Sequence, residues 1–232
     1  MEKGGYSSPS GLTATGNGIY LFQYIIYLYN NMKYTELLEN LKKPIFSLQD
    51  LALYGQKIIP SQLSVMADKG DIIRLKNGLY VIASRKDNLA PEHIAFRLYE
   101  PSYVSLEWAL QKHGLMPEIP FNVTSVTAKT TRTFTNFFGS FFYKSIKPDL
   151  FFGYEKREDV LGQPYLLAEP EKALLDYLYF NLSHIKTDTD VEGLRLNPFT
   201  IKELDEKKLA SYAKIFDSER LDHILLCLHL NK

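Results

Sequence analysis

The stretch Pro44–Ile82, PIFSLQDLALYGQKIIPSQLSVMADKGDIIRLKNGLYVI, constrains the fold more than any other part of the chain. Ser47-Leu-Gln-Asp50 has the form of a capping box, with aspartate where glutamate or glutamine is usual. Phe46 and Leu51 occupy the positions of a hydrophobic staple, and Leu48, Leu51 and Ala52 are expected to face inward. Tyr54-Gly55-Gln56 breaks this first helix, since Gly55 accepts a left-handed conformation. Pro60 suits the first position of a second helix that runs to about Lys69, with Leu63, Met66 and Ala67 inward and Gly70 as its C-terminal cap. Ile72–Leu75, Lys76-Asn77-Gly78 and Leu79–Ile82 then read as a β-hairpin, because Asn-Gly between two β-prone runs is a strong turn signal.

A further helix precedes this stretch. In Lys33–Leu41, Tyr34, Leu37, Leu38 and Leu41 fall on one helical face, and Pro44 ends the pattern. Helix, turn, helix and hairpin in this order spell a winged helix-turn-helix, which lays its second helix in the DNA major groove. Ser61 and Gln62, near the start of that helix, are the first choices for base readout, since Gln pairs with adenine and Ser contacts several bases. Ser64 and Lys69 share or border the outer face, and Lys57 precedes the helix. Arg74 and Lys76 alternate with Ile73 and Leu75, so their side chains are expected to leave the core together near the wing tip. Asn77 sits at the tip itself, where phosphates would lie. The basic surface is thin, and the same unit also occurs as an interaction or dimerisation module without DNA.

Composition agrees with a soluble globular protein, 45% hydrophobic and 23% charged. A single cysteine, Cys227, excludes an internal disulfide and a cysteine-based zinc site, and fits a reducing compartment. The 27 basic and 27 acidic residues are unevenly spread. Residues 33–86 carry nine Lys/Arg against five Asp/Glu, whereas residues 87–232 carry 17 against 21. A basic front on an acidic remainder fits a DNA-reading module joined to something else. Residues 1–18 are Gly-, Ser- and Thr-rich and are expected to be disordered, and Ile19–Tyr29 is apolar but too short for a membrane-spanning helix. Two readings stand for residues 1–31: an extra element packed on the body, or sequence upstream of a natural start at Met32. The onset of the recognisable pattern just after Met32 favours the second.

Arg85–Asn88 reads as a short polar link. Beyond it, helices are expected at Pro91–Leu98, Leu106–Lys112, from Pro170 onward, at Asp205–Phe216 and at Glu219–Leu230, with Ala173, Leu174, Tyr177 and Leu178 inward. Strands are expected at Ser102–Ser105, Asn122–Lys129, Phe137–Tyr143, Leu150–Tyr154 and Pro164–Ala168. The fold class is therefore α+β, with a winged helix-turn-helix over 32–86 followed by a mixed α+β domain over 87–232. The five histidines form no HxxxH or HxH pair, so no metal site is expected, and no phosphate loop, nucleophile elbow or dinucleotide fingerprint occurs. Glu171 and Asp176 lie five apart and do not share a helical face, so they read as a charge at the helix start and one solvated or buried-paired Asp. Trp108 beside Glu107 and Ser105 reads as core, with a pocket lining as the alternative. The Thr-rich stretch Thr124–Thr135 reads as an exposed sheet face, with a polar groove around Lys129 and Arg132 as the alternative. Phe134, Phe137, Phe138, Phe141 and Phe142 read as core or, in part, as a partner surface.

Several segments together resemble the AbiEi antitoxins, transcriptional regulators of type IV toxin–antitoxin systems concerned with phage abortive infection. They are KPIFSLQDLAL (Lys43–Leu53), PSQLSVMADKGDIIRLKNGLYVIA (Pro60–Ala83), EPSYVSLEWALQKHGLMPE (Glu100–Glu118), FFGY (Phe151–Tyr154) and LAEPEKALLDYLYF (Leu167–Phe180). The resemblance spans roughly Met32 to Phe216. It implies a bacterial, cytoplasmic protein without enzymatic activity, cofactor or membrane partner. Its winged helix would repress its own operon by binding promoter DNA. The remainder would counter a nucleotidyltransferase-like toxin from the same operon, opposing the toxin's effect without a stable complex. The 31-residue front extension and the weakly basic wing depart from the family pattern. Two other classes stay open: a protein-interaction module that binds the toxin or another protein directly, and an enzyme using carboxylates such as Glu107, Glu169 and Asp176.

Overall fold

The computed structural model of the protein describes residues 34, 39, 41–53 and 60–228. The extension 1–31, most of the expected helix Lys33–Leu41, the break at Tyr54–Gln56 and Lys57 lie outside them. The described chain is mixed α+β.

The front layer begins with a short strand, β1 (Ile45–Ser47), that runs directly into α1 (Leu48–Leu53). Aspartate completes the capping box: the Asp50 amide donates to Ser47 Oγ at 3.1 Å, and the Ser47 amide donates back to Asp50 Oδ2 at 2.7 Å. Partial burial raises the Asp50 carboxyl, but its bonds from Ser47 and the nearby Arg97 outweigh that and hold it below the usual value. Ser47→Ala is expected to cost about 1 kcal/mol, seen as a melting-temperature loss of roughly 2–4 °C. Of the three residues expected to face inward, only Leu51 is buried, while Leu48 and Ala52 are exposed. A six-residue helix has fewer than two turns and offers the core little more than one position.

Helix α2 (Pro60–Asp68) buries Leu63 and Met66. It ends in a Schellman motif: the Asp71 amide donates to Met66 O at 2.9 Å and the Gly70 amide to Ala67 O at 3.0 Å. Gly70 takes φ +79°, the left-handed conformation that this ending needs. Strands β2 (Ile72–Lys76) and β3 (Leu79–Ile82) follow, and the sheet order is β1-β3-β2, antiparallel throughout.

Both faces of this sheet are covered. Phe46, Ile72, Tyr80 and Ile82 pack with Leu51, Leu63 and Met66 in a small core under the two helices. Ile45, Leu75, Leu79 and Val81 belong to the large core of the rest of the chain. Hence all four residues of β3 are buried, and LYVI shows no alternation. The expected link at Arg85–Asn88 is part of a 3-10 turn, Ala83–Asn88, between layers already in contact through the sheet.

The second layer is a six-stranded mixed sheet, β6-β7-β5-β4-β9-β8. Its strands are β4 (Ser102–Val104), β5 (Val123–Thr127), β6 (Arg132–Asn136), β7 (Gly139–Ser145), β8 (Tyr154–Glu158) and β9 (Pro164–Ala168). β4 pairs antiparallel with β5 and parallel with β9, while β5 and β7 pair in parallel. The strand expected at Leu150–Tyr154 is displaced: Pro148–Leu150 is a 3-10 turn and the strand starts at Tyr154. Helices α3 (Pro91–Leu98), α4 (Leu106–Lys112) and α5 (Pro170–Asn181) are joined by α6 (Asp188–Glu192), α7 (Pro198–Ile201), α8 (Glu206–Phe216) and α9 (Glu219–Cys227). α5 packs on α4, α8 and α9 and is buried on almost every side, including at Glu171, Lys172 and Asp176.

Candidate nucleic-acid interface and a buried charge cluster

Helix α2 turns Leu63 and Met66 to the core and leaves Ser61 and Lys69 exposed, with Gln62 and Ser64 half-buried. The hairpin comes up beside it. Arg74 Nη2 reaches Ser64 Oγ at 3.5 Å, and the guanidinium lies 5.9 Å from the centre of the Tyr80 ring. Ser61, Gln62, Ser64, Lys69 and Arg74 thus come from adjoining elements, with Asn77 exposed at the hairpin turn.

Lys76 behaves differently from the alternation argument. A bulge separates Arg74, opposite Tyr80, from Lys76, opposite Leu79. The extra residue, Leu75, shifts the pattern by one, so Lys76 leaves on the face of Leu79 and not on that of Arg74. Its Nζ donates to Leu98 O at 2.5 Å and lies 5.8 Å from the Phe134 ring centre. Burial lowers its pKa, with Glu100 opposing the shift. The hairpin turn itself has only Gly78 at positive φ, +76°, as in a turn followed by a bulge, rather than the two positive residues of a type I′ turn. Asn136 Nδ2 adds a contact to Leu75 O at 3.4 Å, so the hairpin is braced on the edge strand β6.

The second site lies inside the larger layer, on α5. Lys172 and Asp176, four apart and both fully buried, form an ion pair. Lys172 Nζ also donates to Tyr103 OH at 2.8 Å, and Tyr103 OH and Ser105 Oγ donate to Asp176 Oδ2 at 2.9 and 2.8 Å. The ammonium lies 5.0 to 5.3 Å from the ring centres of Tyr103, Phe152 and Phe216. Burial pushes the Asp176 carboxyl up and the Lys172 ammonium down, and each partner offsets the other's shift. The FFGY segment closes this cage. Gly153, at φ +70°, places its backbone against the Lys172 stem, and its carbonyl accepts from the Glu169 amide at 3.0 Å.

Beside the cage, Tyr212 OH donates to Glu169 Oε2 at 2.6 Å, and Lys208 Nζ lies 3.0 Å from Glu169 Oε1. Partial burial and the Glu169 bond push the Tyr212 phenol up to about 12. Lys208 also lies 3.6 Å from Glu171 Oε2. Asp176 and Glu169 therefore sit in separate networks, and Asp176 presents no surface to a dissolved substrate. Ser105 serves the Asp176 network and lines no open pocket there. Trp108 packs against the large core, and its Nε1 donates to the buried Glu92 at 2.9 Å.

The chain matches no family model and no curated protein.

Threonines of the Thr-rich stretch are partly spent on internal bonds. Thr124 Oγ1 donates to Ser105 O at 2.8 Å and Thr127 Oγ1 to Pro101 O at 2.7 Å. Lys129 lies over the Tyr99 ring, and Arg132 is exposed on β6. Of the five phenylalanines, Phe141 is buried and Phe134, Phe138 and Phe142 are partly so, whereas Phe137 stands exposed at the β6–β7 turn under Lys86. Lys172, Tyr103 and Ser105 were missed from sequence as one network; the i, i+4 spacing of Lys172 and Asp176 was the available signal. No helix among the described residues is long and apolar enough to cross a membrane.

Proposed function

We propose that the protein is a DNA-binding autoregulator and antitoxin of the AbiEi type. The observation that carries the DNA half is the polar outer side of α2, set beside Arg74 on β2, in the element order of a winged helix-turn-helix. In this reading α2 enters the major groove, with Ser61 and Gln62 at base edges. Arg74 and Lys69 neutralise phosphates and fix register. Lys76 contributes little, because its ammonium is held by the Leu98 carbonyl. The layer behind, from residue 87 onward, counters a nucleotidyltransferase-like toxin of the same operon in the cytoplasm. That half rests on the segments resembling the family, including the FFGY and EPEKALLDYLYF segments that meet at Gly153 and Lys172.

A titration against DNA from upstream of the gene, at several salt concentrations, tests this. Binding is expected to be sequence-specific and salt-sensitive. Arg74→Ala should weaken it and lower the salt slope by about one counterion. Gln62→Ala should cost about 1–3 kcal/mol and relax specificity at one base pair. Lys76→Ala should change the slope much less than Arg74→Ala. Equal affinity for upstream and random DNA would refute the reading.

A second reading has an observation in its favour. The front sheet is buried on both faces and Lys76 is used internally, as in an interaction module without DNA. Stable capture of the toxin together with indifference to DNA would select it.

A further inference from the structure

Near the end of the chain, α9 carries His223 and Cys227 four residues apart, which places them on one helical face. The start of α6 brings Asp188 to the same face. The two helices pack together, with Val191 and Ile224 in the large core, and Arg220 Nη2 donates to Ile185 O at 2.6 Å just ahead of α6. The positions of the three side chains are thus set by packed elements and not by a loop.

Their donor atoms form a near-equilateral triangle. Cys227 Sγ lies 3.4 Å from Asp188 Oδ1 and 3.8 Å from His223 Nε2, and His223 Nε2 lies 3.5 Å from Asp188 Oδ1. A tetrahedral zinc ion takes sulfur at about 2.3 Å, imidazole nitrogen at about 2.0–2.1 Å and carboxylate oxygen at about 2.0–2.2 Å, which puts such atoms roughly 3.3–3.6 Å apart. The observed edges match that figure to within a few tenths of an ångström. An open cavity of about 210 Å³ adjoins the set, lined by Asp188, Glu192 and Cys227 among others, and leaves room for a water on the remaining coordination position. Mixed thiolate, imidazole and carboxylate donors suit a borderline-soft ion and not magnesium or calcium.

We propose that Asp188, His223 and Cys227 bind one Zn²⁺-class divalent ion, with water in the fourth position, tying α6 to α9. This departs from the expectation that a lone cysteine and unpaired histidines leave no zinc site, because that expectation counts like ligands near in sequence, whereas this set draws one ligand of each kind from two distant segments. The inference is independent of the DNA and antitoxin readings.

Full-length protein, stripped with a chelator, is titrated with Co²⁺ and then with Zn²⁺. One equivalent of Co²⁺ is expected to bind at micromolar concentration or below, with a thiolate-to-metal charge-transfer band in the near ultraviolet that Zn²⁺ abolishes. Cys227→Ser should remove the band, and His223→Gln and Asp188→Asn should each weaken binding by at least about tenfold, since even supporting contacts of a metal site are worth that much. Zn²⁺ should raise the melting temperature of the wild type and not of Cys227→Ser. All three positions are surface-accessible, and unchanged circular dichroism confirms that the variants fold. Absence of the band, or binding equally tight in all three variants, would overturn the proposal and leave a hydrogen-bonded trio.

Discussion

Asp176→Ala is expected to destabilise the protein by about 3–5 kcal/mol, the usual cost of stripping one partner from a buried ion pair. In a chain of this size that corresponds to a melting-temperature loss of roughly 6–20 °C. The cause is local. Lys172 would lose its counter-ion in a site of zero exposure, among the rings of Tyr103, Phe152 and Phe216, and either bury an unpaired charge or give up its proton, with a single phenol oxygen as hydrogen-bond partner. The Tyr103 and Ser105 hydroxyls would lose their shared acceptor as well. The double variant Lys172→Met/Asp176→Leu separates this account from simple cavity formation. Removing both charges and keeping the volume is often close to neutral, so the double variant should recover at least half of the loss. Urea unfolding of wild type, both single variants and the double variant closes the cycle. An Asp176→Ala loss below about 1 kcal/mol would mean that the pair is not charged and buried as the structure has it.

The sequence made some of this legible and hid the rest for identifiable reasons. The capping box at Ser47–Asp50, the ending of α2 at Gly70 and the inward face of α5 at Ala173, Leu174 and Leu178 depend on neighbours along the chain, and these agree with the structure. Asp176 could be read as solvated or as buried and paired, but its partner Lys172 could not, because a lysine in a helical pattern reads as solvated face on a helix that is in fact buried nearly all round. Only the partner side chains Tyr103 and Ser105, about 70 residues away in sequence, make their burial affordable. β6 (RTFTN) is an edge strand with an exposed, polar face, so its apolar alternation reduces to Phe134. Lys76 failed for another reason: a single extra residue at Leu75 inverts the face of everything beyond it, and period-two patterns cannot see a bulge. On α2, the inward Leu63 and Met66 and the outward Ser61 were readable because helix phase survives over nine residues.

Gly153→Ala is the second large effect, expected at about 2–5 kcal/mol from backbone strain and crowding together. At φ +70° an alanine is strained before any contact is counted. Its Cβ would also lie 3.0 Å from both Lys172 Cγ and Tyr212 Cε2. Neither neighbour yields easily. The Lys172 stem is tethered through its ion pair to Asp176, and the Tyr212 ring is pinned by its bond to Glu169 at 2.6 Å and stands edge-on to Phe152 with centres 5.0 Å apart. Gly78→Ala supplies the control. Gly78 has nearly the same φ, +76°, with nothing within 4 Å of an added Cβ, so it reports strain alone, about 1 kcal/mol. The difference between the two variants measures the crowding at the cage. If that difference vanishes, the FFGY segment does not press on Lys172. If it is large, Gly153→Ala should be strongly non-additive with Lys172→Met, because both changes act on the same few cubic ångströms around the Lys172 stem. Non-additivity would identify the FFGY and EPEKALLDYLYF segments as two walls of a single cage, brought together where β8 and β9 pair, with Tyr154 opposite Ala168 and the Glu169 amide on Gly153 O.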